Sequence, residues 1–134
     1  MITLTKELET GVTKIDEQHR ELINRINAVT SMGAKSASKE ETQKTIDLLG
    51  AYIVRHFSDE EELQKQCGFP NYESHKKLHK QFIDEFQNLK KDFIANGPSP
   101  KFTLTMNNSI IAWIVRHIKT SDVEFGKYFK EHKK

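Results

Sequence analysis

Four stretches of this chain repeat apolar residues three and four apart, and the same stripes carry five of its six histidines and two carboxylates. A water-soluble chain so patterned must pack its stripes together, and it must bury whatever they carry. His19, His56, His75, His79 and His117 stand where Leu, Ile or Phe belongs, joined by Glu60 and Asp122. A buried imidazole must satisfy its ring nitrogens, and a buried carboxylate costs several kcal/mol unless compensated. Seven such residues converging from four helices need a common partner. The economical one is a pair of metal ions.

The periods predict the elements. After an arm running to about Val12, helix A carries Ile15, His19, Leu22, Ile26 and Val29. Helix B carries Ile46, Leu49, Ile53, His56, Glu60, Leu63 and Cys67. Helix C carries Tyr72, His75, His79, Phe82, Phe86, Leu89 and Phe93, and helix D Met106, Ile110, Trp113 and His117. Ser38 with Glu41 reads as a capping box opening helix B. Gly68 and Pro70 stop helix B, Asn71 is placed to cap helix C, and Gly97, Pro98 and Pro100 separate C from D. Ser121 with Glu124 reads as another capping box, opening a short last helix. Short loops make neighbours antiparallel, so the expected fold is all-α: an up-down-up-down four-helix bundle with an N-terminal arm and a short C-terminal helix, one domain over 1–134.

Composition removes other classes. A net charge of +2, with lysines scattered through both halves, does not argue for nucleic acid. The basic tail from Lys127 to Lys134 is short and contains Glu131. Apolar runs such as Ile110 to Val115 are too short to span a membrane, and Met1 to Thr10 lack a signal pattern. Cys67 is the single cysteine, which excludes an internal disulfide and fits a reducing, cytoplasmic setting.

Spacing then assigns chemistry. His56 and Glu60 are four apart, as are His75 and His79, so each pair faces one point and suits one ion or two adjacent ions. His117 and Asp122 are five apart, which in one continuous α-helix would turn them away from each other. A helix break near Ser121 would let Asp122 point back inward. Five imidazoles and two carboxylates exceed the needs of one ion and suit two bridged by carboxylates. Singly, each residue has an ordinary explanation: a satisfied core histidine, an acidic solvated face for Glu60 among Asp59, Glu61 and Glu62, a charge at a helix start for Asp122. Jointly, in phase on four stripes, they indicate a metal site. His132 lies off the stripes and is expected in solvent. Cys67, two turns beyond Glu60, is expected as a small core residue.

Five segments resemble the hemerythrin family, specifically its single-domain bacterial members. They are Gly11-Val12 with Ile15-Asp16-Glu17-Gln18-His19; His56-Phe57 with Glu60-Glu61; Gly68-Phe69-Pro70; His75 with His79; and Trp113-Ile114 with His117-Ile118 and Asp122. The resemblance implies two iron ions with an oxo or hydroxo bridge. It implies that His75, His79 and His117 bind one iron, His19 and His56 the other, and Glu60 and Asp122 both. The iron with two histidines would keep an open position for dioxygen, under an apolar pocket of Leu22, Phe57, Trp113, Ile114 and Ile118. Two departures stand out. Many bacterial members have Trp in the arm where this chain has Leu4 or a neighbour. Many have Met or Leu one turn after the bridging Glu, where this chain has Gln64, a change that makes a pocket wall or the bundle end more polar.

The leading expectation is reversible dioxygen binding for storage, delivery or scavenging, without enzymatic turnover. Neutral imidazoles stabilise ferrous iron, whereas carboxylate-rich sites favour the high-valent states used in oxidation. The Glu-x-x-His repeats of carboxylate-rich bundles are missing, since no histidine here has Glu three residues before it. The alternatives are a di-iron enzyme acting on peroxide, dioxygen or nitric oxide; a sensor, whose usual attached signalling domain has no room here; and a zinc pair.

Overall fold

A computed structural model describes residues 5–34 and 38–132. The arm contains a single 3-10 turn, Lys6–Leu8, followed by three long helices: α1 (Thr13–Ala34), α2 (Lys39–Cys67) and α3 (Tyr72–Asn96). From Pro100 to His132 the backbone is helical throughout. It runs as α4 (Pro100–Thr105), a π segment (Met106–Ile111), α5 (Ala112–His117), a second π segment (Ile118–Asp122) and α6 (Val123–His132). There is no strand among the described residues. α1 packs on α2, α2 on α3, and α3 on α4 and the first π segment, which makes a four-helix bundle. No helix among the described residues is long and apolar enough to cross a membrane.

Local chemistry sets most of the ends. Ser38 Oγ accepts the Glu41 amide at 3.1 Å and donates to Glu41 Oε1 at 3.0 Å, so the capping box opening α2 is formed. Gly68 closes α2 in the left-handed region, φ 70°, where a side chain would be strained. Ser99, not singled out from sequence, caps α4 by accepting the Phe102 amide, with Pro100 in the first turn. Two expected caps do not form. Asn71 stands at the N-cap of α3, but its side chain donates instead to Glu124 Oε1 at 2.7 Å. Ser121 lies inside the second π segment and opens no helix.

That segment corrects the expected break. Instead of interrupting the helix near Ser121, the chain widens its turn: the Val123 amide donates to the Ile118 carbonyl, five residues back. In this register residues five apart share a face, and π turns of this kind recur at functional sites. His117 and Asp122 therefore point inward together from unbroken helix.

The core divides into two apolar clusters. The larger includes Leu22, Ile26, Ile53, Phe57, Phe82, Ile110, Ile114 and Ile118. The smaller gathers Val12, Ile15, Phe69 and Phe125, with Leu63, Cys67, Tyr128 and Phe129 at its edge. On α1 His19 lies between Ile15 of the smaller cluster and Leu22 of the larger, and Asp122 lies between Ile118 of the larger and Phe125 of the smaller, so the buried polar residues fall where the two clusters meet. Asp16, itself buried, ties the arm to α1 by accepting from the Thr10 amide and hydroxyl, both at 2.8 Å. The arm then runs so close to α6 that a Cβ on Gly126 would collide with the Thr10 carbonyl. The arm position expected to differ from many bacterial members is Leu4 or a neighbour, and Leu4 lies outside the described residues.

Candidate metal centre

All seven candidate ligands are buried, none more than 5% exposed. They form two overlapping groups, Glu60 with His75, His79, His117 and Asp122, and His19 with His56, Glu60 and Asp122. In each group one donor atom per residue lies within 4.8 Å of all the others, and Glu60 and Asp122 belong to both.

In the first group three ring nitrogens crowd one point. His117 Nε2 is 3.1 Å from His75 Nε2 and 3.2 Å from His79 Nε2. Glu60 Oε1 lies 2.8 Å from His75 Nε2 and 3.2 Å from His79 Nε2, and Asp122 Oδ1 lies 3.0 Å from His75 Nε2 and 3.2 Å from His117 Nε2. Adjacent ligands about 2.1 Å from one ion, at right angles, stand about 3 Å apart. In the second group His19 Nε2 is 3.0 Å from Asp122 Oδ2, and the His19 and His56 rings meet edge to face at 4.8 Å.

Donor chemistry tests whether ions fit. His19 Nε2, Glu60 Oε2 and Asp122 Oδ1 are buried atoms with no hydrogen-bond partner among the described residues. Their short contacts are close without the alignment a hydrogen bond requires. Buried lone pairs of this kind are costly unless something accepts them, and a cation shared by the two groups does so. The residues fit two ions.

Neighbouring side chains prepare the ligands. His56 Nδ1–H donates to Gln18 Oε1 at 2.8 Å, and the Gln18 amide donates onward to Asp59 Oδ2 at 2.8 Å. His79 Nδ1–H donates to Glu61 Oε2 at 2.9 Å. Each bond places the ring proton on Nδ1, leaves the Nε2 lone pair for an ion and holds the ring's orientation. Gln18, Asp59 and Glu61 are functional residues that helical periodicity does not find. Asp59 and Glu61 read in sequence as a solvated acidic run, and their partners lie on other helices.

Charge is balanced inside the layer. Burial drives His56 down to about 4, so its ring is neutral at neutral pH. Burial also opposes charge on His75, but the carboxylates of Asp122 and Glu60 beside its Nε2 outweigh it and raise the ring to about 10. His19 is likewise raised, burial being outweighed by Asp122, and His79 by Glu60 and Glu61. Burial and Asp122 push Glu60 up, yet His75 and His79 bring it down to about 2. Asp122 is held well below its ordinary value: burial is overcome by His117, His19 and His75 beside the carboxylate. Without an ion, a proton held on His75 beside both carboxylates offsets part of their charge, and an ion must displace it.

The five apolar candidates surround this layer. Leu22, Phe57, Ile114 and Ile118 are at most 2% exposed, and Trp113 is half-buried against the same cluster. Phe57 stacks flat on His79 at 3.8 Å, and Trp113 on His117 at 4.4 Å. On α2 the inward stripe departs from expectation. Gln64 is fully buried, whereas Leu63 and Cys67 are half-buried. Cys67 belongs to neither ligand group. His132 is exposed, stacked on Tyr128, and is in neither group.

The chain is similar to known proteins over most of its length. Residues 10–128 match the model of the hemerythrin HHE cation binding domain. The chain is similar to a bacteriohemerythrin of Stenotrophomonas maltophilia (strain R551-3), 29% identical over 126 residues, 94% of this chain and 80% of that one. It is 30% identical to a myohemerythrin of Theromyzon tessulatum over 112 residues, 84% and 80% of the two chains. A wild-type hemerythrin crystal structure superposes with a TM-score of 0.83 at 27% identity, covering 95% of this chain and 96% of that one. With its bundle, its buried histidine–carboxylate layer and a family match spanning nearly its whole length, the chain belongs to the hemerythrin family.

Proposed function

We propose that this chain binds dioxygen reversibly at two iron ions, for storage, delivery or scavenging rather than catalytic turnover. The observation that carries the reading is the pair of overlapping ligand groups sharing Glu60 and Asp122, with unpaired lone pairs aimed into them. His75, His79 and His117 would hold one ion and His19 and His56 the other, with both carboxylates bridging. Two bound ferrous ions supply the pair of electrons that reversible dioxygen uptake draws on. The chain's own part is to keep that pair from being lost. Five imidazoles against two carboxylates favour the ferrous state, and Gln18 and Glu61 hold two of the rings in the binding tautomer. The ion with two histidines has fewer protein ligands, which leaves room for a diatomic molecule. Leu22, Phe57, Trp113, Ile114 and Ile118 would form the dry wall over that room, excluding water and protons.

The test is one absorption experiment. Iron-loaded, anaerobically reduced protein should be nearly colourless, gain visible absorption in air and lose it again when oxygen is removed. Metal analysis should give two irons per chain, and Glu60→Ala should lose both or leave a mixed site. A colourless zinc protein, or steady oxygen consumption with a reductant and little oxygenated form, would overturn the proposal.

A further inference from the structure

All seven ligands are buried, so an ion on its way to them must pass a wall of protein. At one place that wall is His75 itself. A pocket of about 220 Å³ lies between the start of α3 and the stretch that joins the second π segment to α6, and His75 lines it. Yet His75 Nε2 already stands among the ligand atoms, 2.8 Å from Glu60 Oε1 and 3.0 Å from Asp122 Oδ1. Ser121, the chain neighbour of Asp122, lines the same pocket. Three other pockets, between α3 and α4, where Thr42 meets Pro98 and Phe102, and beside Tyr52, include none of the seven ligands.

The lining is rich in oxygen acceptors. Ser74 Oγ gives its proton to the Asn71 carbonyl at 3.0 Å, and Thr120 Oγ1 gives its proton to the Arg116 carbonyl at 2.7 Å, so each hydroxyl has only lone pairs left to offer. Asn71 Nδ2 donates to Glu124 Oε1 at 2.7 Å, which leaves the amide oxygen of Asn71 and the second carboxylate oxygen of Glu124 as further acceptors. No lysine or arginine is among the lining residues. A carboxylate, an amide oxygen and two hydroxyls, with no cation beside them, suit a hydrated divalent ion. At about 30 Å³ per water the pocket has room for the ion with several of its waters. Oxygen donors of this kind hold such an ion loosely, whereas the imidazoles behind them bind it more tightly.

We propose that this pocket is the port through which a divalent ion reaches the metal centre. Glu124 draws the hydrated ion in, the pocket oxygens hold it, and His75 passes it inward. His75 is the fourth residue of α3, whose start has no side-chain cap and is tied to α6 by the exposed Asn71–Glu124 hydrogen bond. Helix ends open at low cost, and opening here frees the His75 ring to turn toward the pocket and back. The inference rests on the reading of the seven residues as a metal site.

The test is the rate at which metal-free protein takes up ferrous ion without oxygen, read as iron retained per chain after rapid removal of free metal. Glu124→Gln keeps a partner for Asn71 and removes the charge. It should load about ten-fold more slowly at low salt, the low end of electrostatic steering. At high salt it should approach the parent rate, and its final iron content and melting temperature should be those of the parent. Ser74→Trp, at an exposed position, fills the pocket and should slow both uptake and release to a chelator. Glu85→Gln, in the pocket between α3 and α4, should load like the parent. Parent-rate loading by Glu124→Gln or by a folded Ser74→Trp would overturn the proposal. So would a slowing in Glu124→Gln that is insensitive to salt or equalled by Glu85→Gln. If Ser74→Trp does not fold, Glu124→Gln alone decides. Should the centre take zinc rather than iron, the oxygen-carrier reading fails while the port is still tested by zinc uptake in the same variants.

Discussion

Gln18→Leu removes two hydrogen bonds of 2.8 Å, from His56 Nδ1 and to Asp59 Oδ2, with little change in volume or helix propensity. His56 is 1% exposed, so its Nδ1–H loses its acceptor where water does not readily replace it. An unsatisfied buried donor costs about 1–3 kcal/mol. Asp59 recovers water more easily and adds little. On the metal side, losing the partner of a ligating histidine lowers affinity about 10- to 100-fold. At about 1.4 kcal/mol per decade this is roughly 1.4–2.7 kcal/mol, the same range reached from the hydrogen bond alone. The assay is an equilibrium titration of iron-loaded protein with a ferrous chelator, read as iron retained per chain. Gln18→Leu should lose one iron at a chelator concentration at least ten-fold lower than the parent requires, and the ion held by His56 should go first. Gln18→Glu combined with Asp59→Asn keeps both hydrogen bonds, the one between residues 18 and 59 with donor and acceptor exchanged, and gives His56 an anionic partner like that of His79. It should retain iron at least as well as the parent. Identical titrations for parent and Gln18→Leu would refute the claim that this glutamine supports the site.

Further outcomes follow from the same geometry. His79→Ala should lose iron and lower the melting temperature, because it strips a ligand, removes one of the two imidazoles beside Glu60 Oε1 and takes away the ring that Glu61 holds; His132→Ala, exposed and outside both ligand groups, should change neither, and equal effects would undo the placement. Leu22→Ala and Ile118→Ala, each at a position 1% exposed, should cost about 2–5 kcal/mol and speed the decay of the oxygenated spectrum in air at unchanged iron content. Parent-like decay in both would remove them from the pocket wall. Metal-free protein should show a stability maximum near pH 6.5. His75, raised to about 10, contributes fully below its ordinary 6.5 and loses that contribution as pH rises from there to 10. On the acid side His56, depressed to about 4, resists the proton it would take when unfolded, and Glu60, lowered to about 2, loses its contribution as pH falls below 4.5. Melting temperatures of metal-free protein that stay flat between pH 4 and 10 would contradict this charge balance.

What the chain determined by itself is the part governed by periodicity and short-range chemistry. Apolar residues three and four apart place four helical stripes, and Ser38, Gly68 and Gly97 punctuate them, because a stripe or a cap needs only neighbours within a turn or two. The same periodicity exposes His19, His56, His75, His79, His117 and Glu60 as polar residues in apolar places. Tertiary structure decided the rest. Asp122 reaches the layer through a widened helical turn, and its five-residue offset from His117 alone does not separate that from a break. Asn71 gave up its cap for Glu124, a partner 53 residues away. Gln18, Asp59 and Glu61 look like surface residues along their own helices, and they become supports of the site only when α1, α2 and α3 pack side by side. Gln64 and Leu63 are adjacent in sequence, and only the rotation of α2 in the bundle settled that the glutamine faces inward. A hydrogen bond between helices depends on their register and rotation, which are fixed by the packing of the whole core.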